Sequence, residues 1–208
     1  MPNAMSARLQ WAAVWGFCFL LSIVIQQSVL RTIHALRPAD YAGLSFNFFA
    51  FSIVMLIFFM TFILHVRGYA YLGQKYNLAL LQWMAYGFIL TLAALYVGNL
   101  ADIYVESIGA DDALTGAIIG VSAILYVAGF VGLGFGTLPL REKLGLAAKL
   151  PSGAGSLIFV YVLYSYAPVA LFGFAPPQFV GSLLWLPVPE ALFVTTGIAL
   201  FFQAARHS

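Results

Sequence analysis

Leu184-Trp185-Leu186-Pro187-Val188-Pro189-Glu190-Ala191-Leu192-Phe193 is the stretch on which the reading of the whole chain turns. Two prolines ahead of a glutamate mark a helix start. Proline needs no amide partner in the first turn, and a carboxylate there meets the positive end of the helix dipole. Over residues 189–206 the chain is almost wholly apolar, and a helix of that length covers about 27 Å, enough to cross a hydrocarbon core. A start at the prolines puts Glu190 at the outer interface, with residues 175–186 as an apolar loop folded against that surface. A start near Val180 would put Glu190 close to the midplane. The paired prolines favour the first arrangement.

The rest of the chain is the bundle against which this helix packs. Of 208 residues, 63% are hydrophobic and only 8% charged, against about a quarter charged in soluble domains, so a water-solvated surface cannot be built. Continuous apolar runs near 20 residues long indicate helices, where a β-barrel would show short alternating segments. The runs are 11–30, 44–66, 78–98, 113–138 and 156–174, with the last between 180 and 206. The run at 11–30 is longer than a signal-peptide core and lacks a small-x-small cleavage site, so it reads as a retained first span. The expected fold class is an all-α integral membrane protein, one domain over residues 1–208, built as a single bundle of six transmembrane helices.

Loop charge gives the orientation. Arg8, Arg67, Lys75, Arg141, Lys143, Lys149 and Arg206 fall on one side of that topology, and only Arg31 and Arg37 on the other. The opposite third loop carries Asp102, Glu106, Asp111 and Asp112 without a base. Both termini are therefore expected to be cytoplasmic, in a multi-pass protein of a bacterial inner membrane. The net charge of +2 gives no reason to expect nucleic acid, and the lone Cys18 excludes an internal disulfide.

Three spans have distinctive faces. The second holds Phe46, Phe48, Phe49, Phe51, Phe58, Phe59 and Phe62, which serve either helix packing and lipid contact or a wall for a flat apolar ligand. The fourth carries Gly116 and Gly120, then Gly132 and Gly136 with Gly129 on the same face. Small residues at that spacing let helix backbones approach, either at the bundle centre or across a homo-oligomer or another transmembrane subunit. The fifth aligns Tyr161, Tyr164, Ser165 and Pro168, read as a hydrogen-bonded seam between helices or as a polar ligand wall. The loop at 139–151 reads as a short interfacial helix.

Candidate chemistry is sparse. On this topology His34 lies at the outer end of the first span and His65 at the inner end of the second, a bilayer apart, so they cannot ligate one haem iron. No His/Cys/Asp/Glu cluster has metal-ligand spacing, and the acidic loop lacks calcium-loop spacing. The absence of lysine from the predicted spans excludes a retinal Schiff base. Glu190 is left as the one carboxylate of the chain's second half that sits inside or beside an apolar span, where ionisable groups are costly. It shares its expected level with Gln26, Gln27, Asn47 and Asn99, which either line an outward-facing ligand pocket with it or cap helix ends independently.

Pro187-Val188-Pro189-Glu190-Ala191-Leu192-Phe193 resembles the Pro-x-Glu-Glu-x-x-Phe-Phe stretch of membrane lycopene cyclases, which are built from two three-span repeats. Ala191 stands where that family has its second acid, and the third span, around Leu80-Leu81-Gln82-Trp83-Met84-Ala85-Tyr86, shows no partner motif. The expected function is a non-catalytic membrane protein, either a subunit of a larger complex or a binder of lipid, quinone or pigment, with no cofactor specified. The alternative is an enzyme on lipid or isoprenoid substrates, or a small channel or transporter, working through a polar site around Glu190.

Overall fold

In a lipid environment a backbone has to satisfy its own hydrogen bonds, and a chain this apolar does so as helix. The computed structural model describes residues 4–35, 41–107, 113–172 and 188–207, with side chains described over 4–25, 52–98, 121, 124–163 and 188–207. Among these residues every regular element is helical: α1 (Ala4–Ala35), α2 (Tyr41–Tyr76), α3 (Ala79–Ser107), α4 (Ala113–Gly136), the single-turn α5 (Arg141–Leu144), α6 (Leu150–Phe172) and α7 (Val188–Arg206). Among the residues whose side chains are described, five segments are long and apolar enough to cross a membrane: Ala4–Ile25, Ser52–Tyr76, Ala79–Gly98, Ile124–Ala148 and Val188–Arg206. The described part of α6, Leu150–Leu163, is a shorter apolar helix. The protein is an all-helical, multi-pass membrane protein.

The long helices form a closed ring in chain order. α1 packs on α2, α2 on α3, α3 on α4, α4 on α6 and α6 on α7, and α7 closes against α1. α1 and α7 run antiparallel, since Ala12 shares the surroundings of Gly68 with Phe201, while Gly16 lies against Ile198. Ala4 and Arg206 therefore sit at the same end of the bundle.

Aromatic rings fill the middle. Phe62 of α2 stacks on Phe19 of α1 at 4.4 Å and on Phe130 of α4 at 5.8 Å, and meets Phe88 of α3 edge-on. Phe130 meets Phe193 of α7 at 4.8 Å, and Phe193 stacks on Tyr69. One cluster thus joins five helices through ring contacts that add to simple area burial. Of the second-span phenylalanines, Phe58, Phe59 and Phe62 are core packing. The side chains of Phe46, Phe48, Phe49 and Phe51 lie outside those described.

Glycines set the spacing around α4. Gly129, Gly132 and Gly136 face Phe88, Met84 and Leu81 of α3. Within the chain, α3 thus covers the Gly132/Gly136 face that the sequence also offered to a second copy; the surroundings of Gly116 and Gly120 lie outside the described side chains. On the other flank, a Cβ on Gly134 would meet the Pro151 carbonyl at 2.5 Å, and one on Gly155 the Phe130 carbonyl at 2.6 Å. The α4 and α6 backbones touch there.

The second helix differs most from expectation. Arg67 and Lys75 do not end it; it runs on to Tyr76. Both bases are accommodated at their tips, as long cationic side chains are near helix ends. Arg67 and Arg8 each lie over the Tyr71 ring at 5.6 Å, and Lys75 Nζ donates to the Ala204 carbonyl at 2.7 Å. The expected interfacial helix at 139–151 is reduced to α5 between two 3-10 turns. Buried Thr137 holds that turn together, its hydroxyl 2.7 Å from the carbonyls of both Gly134 and Ala148.

Candidate functional site

The helix start at the prolines is where the sequence placed it: α7 begins at Val188, with Glu190 in its first turn. Its surroundings come from α4 and α6. Glu190 faces Tyr126 of α4, whose hydroxyl donates to the carboxyl Oε1 at 3.4 Å. Tyr126 lies midway along α4, and Tyr161, which lines the same cavity, lies at the centre of α6. α7 begins level with the middles of α4 and α6, so Glu190 stands beside the centres of those two helices. A helix-start motif reports where the helix begins along the chain; the level of that start is set by packing. Here Phe193 is wedged between Phe130 and Tyr69, which fixes the register of α7.

Around Glu190 the faces of α4, α6 and the first turn of α7 enclose a groove of about 870 Å³. Its polar features are the Glu190 carboxyl and the phenols of Tyr126 and Tyr161; aliphatic and phenyl groups such as Phe159, Ala128 and Pro189 supply most of the rest. Ile124, Phe159 and Leu163 are 71%, 47% and 49% exposed, so the groove opens sideways, toward the side that lipid would occupy. The volume is in the range of small-molecule pockets, and a mostly apolar lining with a few convergent polar groups is what such pockets present.

A second polar feature lies deeper. His65, expected at the inner end of its span, is fully buried on α2, eleven residues before the end of that helix at Tyr76. Its Nδ1 is 3.0 Å from the Ala12 carbonyl, which can only accept, so Nδ1 carries the hydrogen and Nε2 offers a lone pair. Gly16 and Gly197 flank the ring: a Cβ on Gly16 would come within 2.5 Å of Nδ1, and one on Gly197 would lie 2.7 Å from both Nε2 and the Tyr69 hydroxyl. His65 Nε2 and Tyr69 Oη, one helical turn apart, are buried and converge on Gly197 without a hydrogen-bond partner among the described residues. The imidazole fastens α2 to α1 and packs on Phe201 at 5.1 Å. Sequence reading missed this because spacing along α2 does not report burial against α1 and α7.

Of the residues proposed to share a pocket with Glu190, Gln26 and Gln27 belong to α1, Asn47 to α2 and Asn99 to α3; their side chains lie outside those described, as do those of His34, Asp102 and Glu106. The groove brings Glu190 to Tyr126 and Tyr161. Tyr161 had been singled out for its helix face, and Tyr126 had not. No group of three or more His, Cys, Asp or Glu suited to a metal ion occurs among the described residues. Comparison with known protein families, with characterised proteins and with solved structures gives no match for the chain.

Proposed function

We propose that this chain is a six-span protein with both termini on the cytoplasmic side, and that it binds an apolar or amphiphilic ligand in the groove between α4, α6 and α7. The observation that carries the reading is the groove itself, about 870 Å³ of mostly apolar space with one carboxyl and two phenols beside the centres of α4 and α6. A carboxyl at that level in a membrane protein is costly to keep and marks a functional position by default. The ring of helices, with both described ends on one side, supports an even number of crossings. The excess of Lys and Arg at that end supports a cytoplasmic assignment, which in a bacterium would be the inner membrane.

Purification of the full chain in mild detergent, followed by an absorbance spectrum and lipid mass spectrometry, tests the binding role. A bound lipid, quinone or pigment is expected at about one per chain. Ala128, exposed on the groove wall, allows the groove to be filled without touching the core. Ala128→Trp is expected to cut the retained ligand several-fold while leaving thermal stability unchanged. Retention unaffected by Ala128→Trp would place the ligand elsewhere. A catalytic alternative uses the same groove, with Glu190 as acid or base toward an isoprenoid or lipid and Tyr126 as its hydrogen-bonding neighbour; it predicts a chemically altered ligand that Glu190→Gln no longer produces.

A further inference from the structure

The groove's charge is one-sided, and the sequence makes that asymmetry complete. No Lys, Arg or His occurs over residues 76–140 or over residues 150–205. Those two runs contain all of α3, α4 and α6, the segment 173–187, and α7 up to its final residue. The described walls of the groove, on α4, α6 and the first turn of α7, are therefore built from sequence that contains no cation. Arg31, on α1, lies beyond it: Gly16 is level with Ile198, and counting along each helix puts the Arg31 backbone about 10 Å past the level of Glu190. Arg31 also belongs to a helix that packs chiefly on α2 and α7, away from the α4 and α6 faces of the groove.

Charged groups inside membrane proteins are paired, because an isolated charge in a low-dielectric medium is far less stable than a partnered one. The Tyr126 hydroxyl at 3.4 Å is a neutral and long contact for Glu190. The phenol rings of Tyr126 and Tyr161, which line the groove with it, offer negative faces that attract cations. Resting on the binding role proposed above, we infer that the groove is selective for lipophilic organic cations: an ammonium-type or similarly delocalised positive group seated between Glu190 and the two tyrosines, with its apolar part along α4 and α6. A carboxylate- or phosphate-headed lipid would bring a second negative charge to a site with no base among its described lining, and is disfavoured.

The test uses the full chain in maltoside micelles and two ions of nearly equal size and opposite charge, tetraphenylphosphonium and tetraphenylborate, with tetradecanol as a neutral amphiphile. Binding is measured by equilibrium dialysis against empty micelles. Saturable tetraphenylphosphonium binding at one per chain is expected, weakened at least tenfold in Glu190→Gln and retained in Glu190→Asp, with no saturable tetraphenylborate binding. Size-exclusion profiles and thermal stability of both variants establish that they fold. Equal tetraphenylphosphonium binding by the wild type and Glu190→Gln, or equal affinity for the two ions, would overturn the cation assignment. If tetradecanol binds and is displaced by Ala128→Trp while the cation shows no dependence on Glu190, only this inference falls. If none of the three probes is retained, the binding role falls with it.

Discussion

The two helices that flank the groove, α4 and α6, touch at their backbones, and that contact can be probed by adding a single methyl group. At Gly134 a new Cβ would lie 2.5 Å from the Pro151 carbonyl oxygen and 2.9 Å from Ser152 Cα. Real Cβ atoms essentially never come within 3.0 Å of another heavy atom, and both neighbours are backbone, so no rotamer change relieves the overlap. The helices would have to part by about half an ångström or more, losing dispersion contacts along the seam, which in lipid are the main force holding helices together. Overpacking of this kind costs about 1–3 kcal/mol. Gly155→Ala, whose Cβ would meet the Phe130 carbonyl at 2.6 Å, should cost a similar amount. Gly87 is the internal control, because a Cβ there meets nothing within 4 Å. Removing that glycine should be neutral or stabilising by up to about 1 kcal/mol through helix propensity. Reversible unfolding of the three variants in mixed micelles titrated with sodium dodecyl sulfate measures the series. If Gly134→Ala and Gly155→Ala unfold at the same denaturant fraction as Gly87→Ala, the α4/α6 backbone contact is not as described.

Two other contacts make predictions. His65→Ala removes a fully buried ring and its bond to the Ala12 carbonyl, opening a cavity between α1, α2 and α7; a loss of about 2–5 kcal/mol is expected by the same unfolding assay. A value under about 1 kcal/mol would mean that the ring is not packed there. Lys75→Met keeps most of the aliphatic stem and removes the ammonium that caps the Ala204 carbonyl at the end of α7. A loss of about 0.5–1.5 kcal/mol is expected, with faster amide hydrogen exchange confined to the last turn of α7; unchanged exchange there would show that the cap contributes nothing.

Helix class and helix start were legible in the sequence because they depend on local properties. An apolar chain in lipid has to close its backbone bonds within each segment, and hydropathy alone reports where that happens. Pro187 and Pro189 mark the start of α7 by the conformational demands of proline itself, and the helix begins between them at Val188. Charge was less reliable as a boundary. Arg67 looked like the end of a span, yet its guanidinium reaches the Tyr71 ring while the helix continues. His65, two residues before Arg67, is buried against α1 and α7, which spacing along α2 does not report.

The site belongs to the tertiary structure. Helices that are apolar on all sides give little indication of which face turns inward, so pairing Glu190 with Tyr126 and Tyr161 could not be read from spacing. The level of Glu190 was settled by Phe193 locking between Phe130 and Tyr69, and the groove by the approach of α4 and α6 at Gly134 and Gly155. One part of the candidate site was nevertheless written in the chain from the start: the described groove walls around Glu190, on α4, α6 and the first turn of α7, contain no basic residue. Sequence determined the charge available to the groove, and packing decided that this carboxyl would be the group that faces it.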